Sequence, residues 1–136
     1  MNGNETVSEQ LSHAFHALSA PRRCHVIRLL ADTEDESLSV RYLARHIAAI
    51  EQDLPPEQAT GEPYRNVYNA LSQTHLSTLA DADVIIYDSN RQTIVPGPNF
   101  DLAALLIVLN QATYRTLQGD TLPGLTDIDT PQSPIE

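Results

Sequence analysis

Leu71-Ser72-Gln73-Thr74-His75-Leu76-Ser77-Thr78-Leu79-Ala80-Asp81-Ala82-Asp83-Val84-Ile85-Ile86-Tyr87-Asp88 decides the fold of this chain. Its first half has helical spacing, with Leu76 and Leu79 three apart on one side of a helix. Its second half changes character. Val84, Ile85 and Ile86 are β-branched in a row, which favours a strand. Asp88-Ser89-Asn90 is a turn signal, and Gln92-Thr93-Ile94-Val95 reads as a second short strand. A helix therefore runs directly into a β-hairpin.

Working outward, four more helices are expected. Ser8 can cap the first, over 8–18, with Leu11, Phe15 and Leu18 as its apolar stripe. Pro21 suits the first turn of the second, over 21–31, which offers Val26, Ile27, Leu29 and Leu30 to a core. Ser39 caps the third, over 39–51, and Val40, Leu43, Ala44 and Ile47 form its inner face. A loop with three prolines, Leu54 to Pro63, precedes the fourth helix at 64–81, whose core side holds Val67, Tyr68, Leu71, Leu76 and Leu79. Strands at 84–88 and 92–95 follow. Pro96-Gly97-Pro98 breaks the chain before a last helix at 99–117.

Helices followed by a recognition-type helix and a hairpin are the order of a winged helix-turn-helix, in which the hairpin is the wing. Three segments carry a closer likeness. Ala17-Leu18-Ser19-Ala20-Pro21-Arg22-Arg23-Cys24-His25-Val26-Ile27-Arg28-Leu29-Leu30 resembles the opening of small winged-helix repressors of the ArsR type. Leu38-Ser39-Val40-Arg41-Tyr42-Leu43-Ala44 resembles their second-helix motif. His75-Leu76, Leu79, Ala82 and Val84 match the end of their recognition helix, with Asp83 where such repressors often have Gly. The chain as a whole, over about residues 8–117, resembles an uncharacterised group of winged-helix domains from halophilic archaea that carry the label of transcription regulators. The likeness implies an α+β fold, mostly helical, with a two-stranded wing and a C-terminal dimerisation helix. It also implies DNA as partner, although the long proline loop departs from the tight turn of an ordinary helix-turn-helix.

With 136 residues the chain suits one domain of modest core. Residues 1–6 and 118–136 are expected to be disordered, the latter as an acidic tail, leaving 7–117 as the domain. There are 18 acidic against 8 basic residues, a net charge of −10, and every basic residue is Arg. An acidic, Lys-free chain reads as adapted to high salt, where carboxylates hold hydrated cations. The same charge weighs against a broad basic DNA footprint. In molar salt, however, counterion release gives little, so few phosphate contacts would be expected there. The polar N-terminus shows no signal peptide and the longest apolar run, Leu102 to Leu109, is far short of the ~20 residues of a membrane span, so a cytoplasmic protein is expected.

The outward side of the fourth helix offers Arg65, Asn66, Asn69 and Gln73. Arg pairs with guanine, and Asn or Gln with adenine, through paired hydrogen bonds in the major groove. A plain solvated face in so acidic a chain would carry Asp or Glu, yet Tyr64 to Ala80 contains neither. Arg91 at the wing tip and Arg41 and Arg45 on the third helix are candidates for phosphate contacts, which position a protein without reading sequence. Arg28 is better placed to pair with the acidic loop Thr33–Glu36. On the last helix, Leu102, Leu105, Leu106, Leu109 and Thr113 form a stripe that a two-fold homodimer would bury.

Metal and catalytic readings find little support. His13 and His16 lack a third ligand at a fitting spacing, and zinc sites want three or four. Cys24 alone can form no intramolecular disulfide and is more readily a small buried hydrophobe than a redox sensor. There is no phosphate loop, nucleophile elbow or zinc-protease motif, so no enzyme and no cofactor are expected. The expectation is a homodimeric regulator that binds double-stranded DNA. The rivals are a winged-helix module for protein–protein contact and a ligand-sensing regulator whose effector the sequence does not name.

Overall fold

A computed structural model describes residues 6–119. Residues up to Ala104 form one compact unit and those from Leu105 a second. The fold is α+β, mostly helical and of winged-helix type. Its order is α1 (Val7–Ala17), α2 (Pro21–Asp32), β1 (Leu38–Ser39), α3 (Val40–Gln52), a 3-10 turn (Pro56–Gln58), α4 (Glu62–Ala70), a π-helical turn (Leu71–His75), α5 (Leu76–Asp81), β2 (Ile85–Asp88), β3 (Thr93–Pro96) and α6 (Phe100–Leu117). Of the segments expected to be disordered, 1–6 and 118–136, residues 1–5 and 120–136 lie outside the described residues, whereas Thr6 caps α1 and the Gln118 and Gly119 amides bond back to the end of α6. Among the described residues no helix is long and apolar enough to cross a membrane.

Thr6, not Ser8, begins α1. Its hydroxyl accepts from the Glu9 amide while the Glu9 carboxylate accepts from the Thr6 amide, a reciprocal capping box. The small Ala14 and Ala17 are the buried residues of α1, and Phe15, expected inside, is 59% exposed. On α3 the expected inner face holds: Val40, Leu43, Ala44 and Ile47 are buried, and the Ser39 hydroxyl accepts from the Tyr42 amide. Val26, Ile27, Leu30, Val67, Leu71, Leu76, Leu79 and Ile94 complete the centre of the core, with Leu29 only half-buried.

The sheet has three strands, not two. β1 pairs with β3, Leu38 opposite Ile94, so the order is β1-β3-β2, antiparallel throughout. A two-residue strand has no period to read, so nothing in the local sequence marks it.

The fourth helix starts two residues early, at Glu62, because Gly61 (φ 72°) supplies the entry conformation and Pro63 fits the first turn. Its core residues run Val67, Leu71, Leu76, Leu79. A gap of five between Leu71 and Leu76 exceeds one α-turn, and the π turn absorbs the extra residue, with the Leu76 amide bonding the Leu71 carbonyl. The helix ends at a Schellman motif. The Val84 amide bonds the Leu79 carbonyl, the Asp83 amide bonds that of Ala80, and Asp83 takes the left-handed conformation at φ 61°. Asp53 ends α3 in the same way, at φ 56°. Both positions use Asp where Gly is the usual choice.

Candidate nucleic-acid interface

Arg65, Asn66, Asn69 and Gln73 form the outward side of the helix, opposite the buried Val67 and Leu71. The interruption at 71–75 lies within this helix, so Gln73 stands on the π turn itself. α3 packs against α4 and presents Arg41 and Arg45, both exposed. Among the described residues neither these two nor Arg65 has a hydrogen-bonded or ion-paired side-chain partner, whereas Arg22 is gripped by Glu51 through contacts of 2.7 and 2.9 Å. Among the described residues Arg28 makes no ion pair with the acidic loop 33–36, contrary to expectation.

The wing is built by its turn. The Asp88 carboxylate accepts from the amides of Asn90 and Arg91 at 3.0 and 3.1 Å, folding 88–91 into an Asx turn. Arg91 extends from it, 82% exposed, with a loose 3.9 Å approach to Asp88. Gln92, read from sequence as a strand residue, is the bracket between wing and helix. Its amide nitrogen donates to the Tyr87 hydroxyl and the Ser89 carbonyl, at 3.0 and 2.8 Å. Its amide oxygen accepts from the hydroxyls of Tyr68 and Ser72, at 3.2 and 3.3 Å. These bonds hold Gln92 at φ 55°, a conformation that costs a non-Gly residue about 1–3 kcal/mol. The Gln92 carbonyl also accepts from the Val40 amide at the start of α3. Tyr68 therefore contributes its hydroxyl to the wing as well as its ring to the core edge.

Behind the helix, Arg23 is 7% exposed and meets no carboxylate among the described residues. Its guanidinium donates to the Ala17 carbonyl (2.7 Å), to the Ser19 hydroxyl (3.1 Å), to the His16 carbonyl (3.4 Å) and to His75 Nδ1 (3.1 Å). It thus caps the open end of α1 and fastens the π turn. Because Arg can only donate, His75 Nδ1 must be unprotonated. Burial, and then the charges of Arg23 and Arg22, hold the His75 pKa below its ordinary 6.5. Burial lowers His25 and His46 likewise. A base with a lowered folded pKa gives full stability above its unfolded pKa and loses it as pH falls towards the folded one. We expect the urea midpoint to decline as pH drops below about 6.5, before the carboxylates titrate. The variant His75→Gln, which keeps an acceptor, should decline less over that window. Equal declines would show that His75 is not the sensitive group.

The expected dimer stripe divides. Leu105 and Leu109 are 55% and 52% exposed, with Val108 beside them at 58%. Leu102 is half-buried, and Thr113 is exposed with its hydroxyl donating back to the Leu109 carbonyl at 2.9 Å. Leu106 is buried at 8%, together with Ile107, and is not part of an open seam. The run from Leu102 to Leu109 is apolar all round, so its periodicity could not choose the outward face.

His13 and His16 line a hollow of about 240 Å³ with Asp81, yet among the described residues no three His, Cys, Asp or Glu are placed to hold a metal ion. Cys24 is half-buried and its thiol lies 3.4 Å from the Leu18 carbonyl. Burial raises its pKa, which disfavours the reactive thiolate.

A larger groove, of about 670 Å³, lies between α3 and the start of α4. Arg41, Tyr42, Arg45, His46, Pro56, Glu57 and Tyr64 line it. The Tyr42 and His46 rings stack at 4.0 Å, and Tyr64 leans on Tyr68 at 6.0 Å. The signal for these aromatics was present as two pairs at i, i+4 spacing.

Residues 15–95 match a family described as a domain of unknown function, DUF7344, and the chain belongs to that family. No curated protein and no solved structure matches the chain.

Proposed function

We propose that the protein is a DNA-binding transcriptional regulator that acts as a homodimer, reading bases with the helix from Glu62 to Asp81 and steadying itself with the wing. The observation that carries this reading is the outward, acid-free face of Arg65, Asn66, Asn69 and Gln73 on a chain of net charge −10. The Gln92 bracket adds a fixed wing, and the exposed Arg41 and Arg45 add two cations for phosphates. The resemblance to ArsR-type repressors and to halophilic winged-helix domains agrees with it, and the acidic composition points to work in concentrated salt. Net charge alone favours the rival, a protein-contact module.

Asn69→Ala and Gln73→Ala should each reduce preference for the target sequence by ~1–3 kcal/mol, the worth of one base held by two hydrogen bonds. Arg91→Ala should weaken binding to all sequences alike. Binding is measured in molar KCl, against sites found by genome-wide crosslinking of the tagged protein. A parent that binds no DNA under those conditions passes the function to the protein-contact reading.

The dimer is tested through the exposed leucines. Leu109→Glu should convert a dimer to a monomer in light scattering, because an unpaired charge at a buried interface is strongly unfavourable. A monomeric parent at tens of micromolar, roughly enough to fill a dimer of ~1 μM dissociation constant, would refute it.

A further inference from the structure

The groove between α3 and the start of α4 has a composition that base reading does not explain. Arg41 and Arg45 stand one helical turn apart on the same side of α3, and among the described residues neither has a side-chain partner. Two unneutralised guanidinium groups in so acidic a chain form a local anion site. Aromatic surface lies next to them. The Tyr42–His46 stack follows the arginines along α3, and Tyr64 forms part of the wall at the start of α4. Burial, and then the nearby Arg45 charge, lower the His46 pKa, which favours the uncharged ring and lets the stack serve as aromatic surface. Glu57, on the 3-10 turn, is the acid of the lining and an acceptor for hydroxyl or amine hydrogens. Two positive charges and one negative leave the groove a net +1. Its volume of about 670 Å³ falls within the ~300–1,000 Å³ usual for small-molecule sites.

We propose that this groove binds a nucleoside monophosphate. Arg41 and Arg45 hold the phosphate, the base lies on the aromatic surface of Tyr64, and Glu57 accepts from a sugar hydroxyl or a base amine. A guanidinium pair suits phosphate oxygens, and a nucleobase has a flat face for an aromatic ring whatever its identity. The net charge of the lining suits one phosphate better than three. The inference goes beyond DNA recognition and does not require it. If both hold, the nucleotide competes with DNA phosphates for Arg41 and Arg45 and acts as an effector.

The test is an NMR titration of the full chain with AMP, with adenosine and with inorganic phosphate, each at low and at molar KCl. AMP should shift the Tyr64, Tyr42 and His46 ring signals saturably, with adenosine and phosphate each binding more weakly. Arg41→Gln and Arg45→Gln alter exposed side chains and should each weaken AMP by about tenfold or more. Tyr64→Leu should weaken AMP while leaving phosphate binding as in the parent. Tyr64→Phe, which keeps the ring, should bind AMP as the parent does and guards against a folding defect in the leucine variant. The proposal is overturned if AMP gives no saturable shift, if phosphate alone binds as tightly as AMP, or if both arginine variants bind like the parent. Asn69→Ala and Gln73→Ala keep the two readings separable. Reduced sequence preference with AMP binding intact supports both, and AMP failure with DNA binding intact sinks this one alone.

Discussion

Gly97→Ala should lower the unfolding free energy by about 3 kcal/mol, a large share of the ~5–15 kcal/mol typical of a domain. A Cβ at Gly97 would lie 2.6 Å from the Asp83 carbonyl oxygen and 3.1 Å from the backbone carbons of Asp83 and Ile85. All three are main-chain atoms, so no side-chain rotation can relieve the clash. The backbone there is also committed. The Gly97 amide bonds the Val84 carbonyl at 2.9 Å, and the Asn99 amide bonds the Asp83 carbonyl at 2.8 Å. The Asn99 side chain bonds the Ala82 carbonyl at 3.0 Å. These three bonds receive the carbonyls that follow α5 and close the base of the wing. Moving the strands apart to admit a methyl group would strain or break them together. Urea denaturation would show the change, and an unchanged midpoint would mean that the backbone yields there at little cost. Gly61→Ala is the contrasting case. Nothing lies within 4 Å of a Cβ there, so any destabilisation arises from the backbone conformation alone, φ 72° with ψ −141°, about 1–3 kcal/mol.

Arg23→Met should cost a similar amount, about 3 kcal/mol, although it exchanges a buried charge for an apolar side chain of comparable length. Burying a cation without a carboxylate is unfavourable in itself, and removing it recovers some hydration free energy. Against that, the Ala17 carbonyl at the end of α1 loses this donor and His75 Nδ1 loses the group that fastens the π turn, while the His16 carbonyl keeps the Ser19 amide and hydroxyl. Buried acceptors left unpaired are each worth roughly 1–3 kcal/mol. Thermal or urea unfolding measures the difference. Arg23→Lys separates charge from shape. A single ammonium cannot reach α1 and His75 with the same planar fork, so it should restore only part of the stability. Complete rescue by Lys would show that charge near the end of α1 suffices.

Helices with a clear amphipathic face were the most legible part of the fold. The spacing of Val40, Leu43, Ala44 and Ile47 marks α3 and its inner side together. Val84 to Ile86 mark the hairpin, because β-branched residues after a helix leave few alternatives. α1 was less legible. Phe15 dominates any apolar count, yet the buried side of that helix belongs to Ala14 and Ala17, whose small size makes close approach possible without marking it. β1 depends on β3, which lies more than fifty residues further along the chain. The polar residues of the candidate site could be read, since side-chain type and helical spacing place them. The bonds that steady the site could not. Gln92, Tyr68 and Ser72 meet only after the hairpin folds back on the helix, and Arg23 meets His75 across separate helices.

The five-residue step from Leu71 to Leu76 has a consequence for how this segment tolerates changes in length. A helix with one π turn holds one residue more than a regular helix over nearly the same rise. Deleting a single residue between Leu71 and Leu76 would bring them to i, i+4 and leave both facing inward. The hydrophobic sequence would still suit an α-helix, while Ser72 and His75, or whatever replaced them, would no longer fall opposite Gln92 and Arg23. The core spacing would suit either length, while the bonds to Gln92 and Arg23 on the two sides of the turn are made with the longer one.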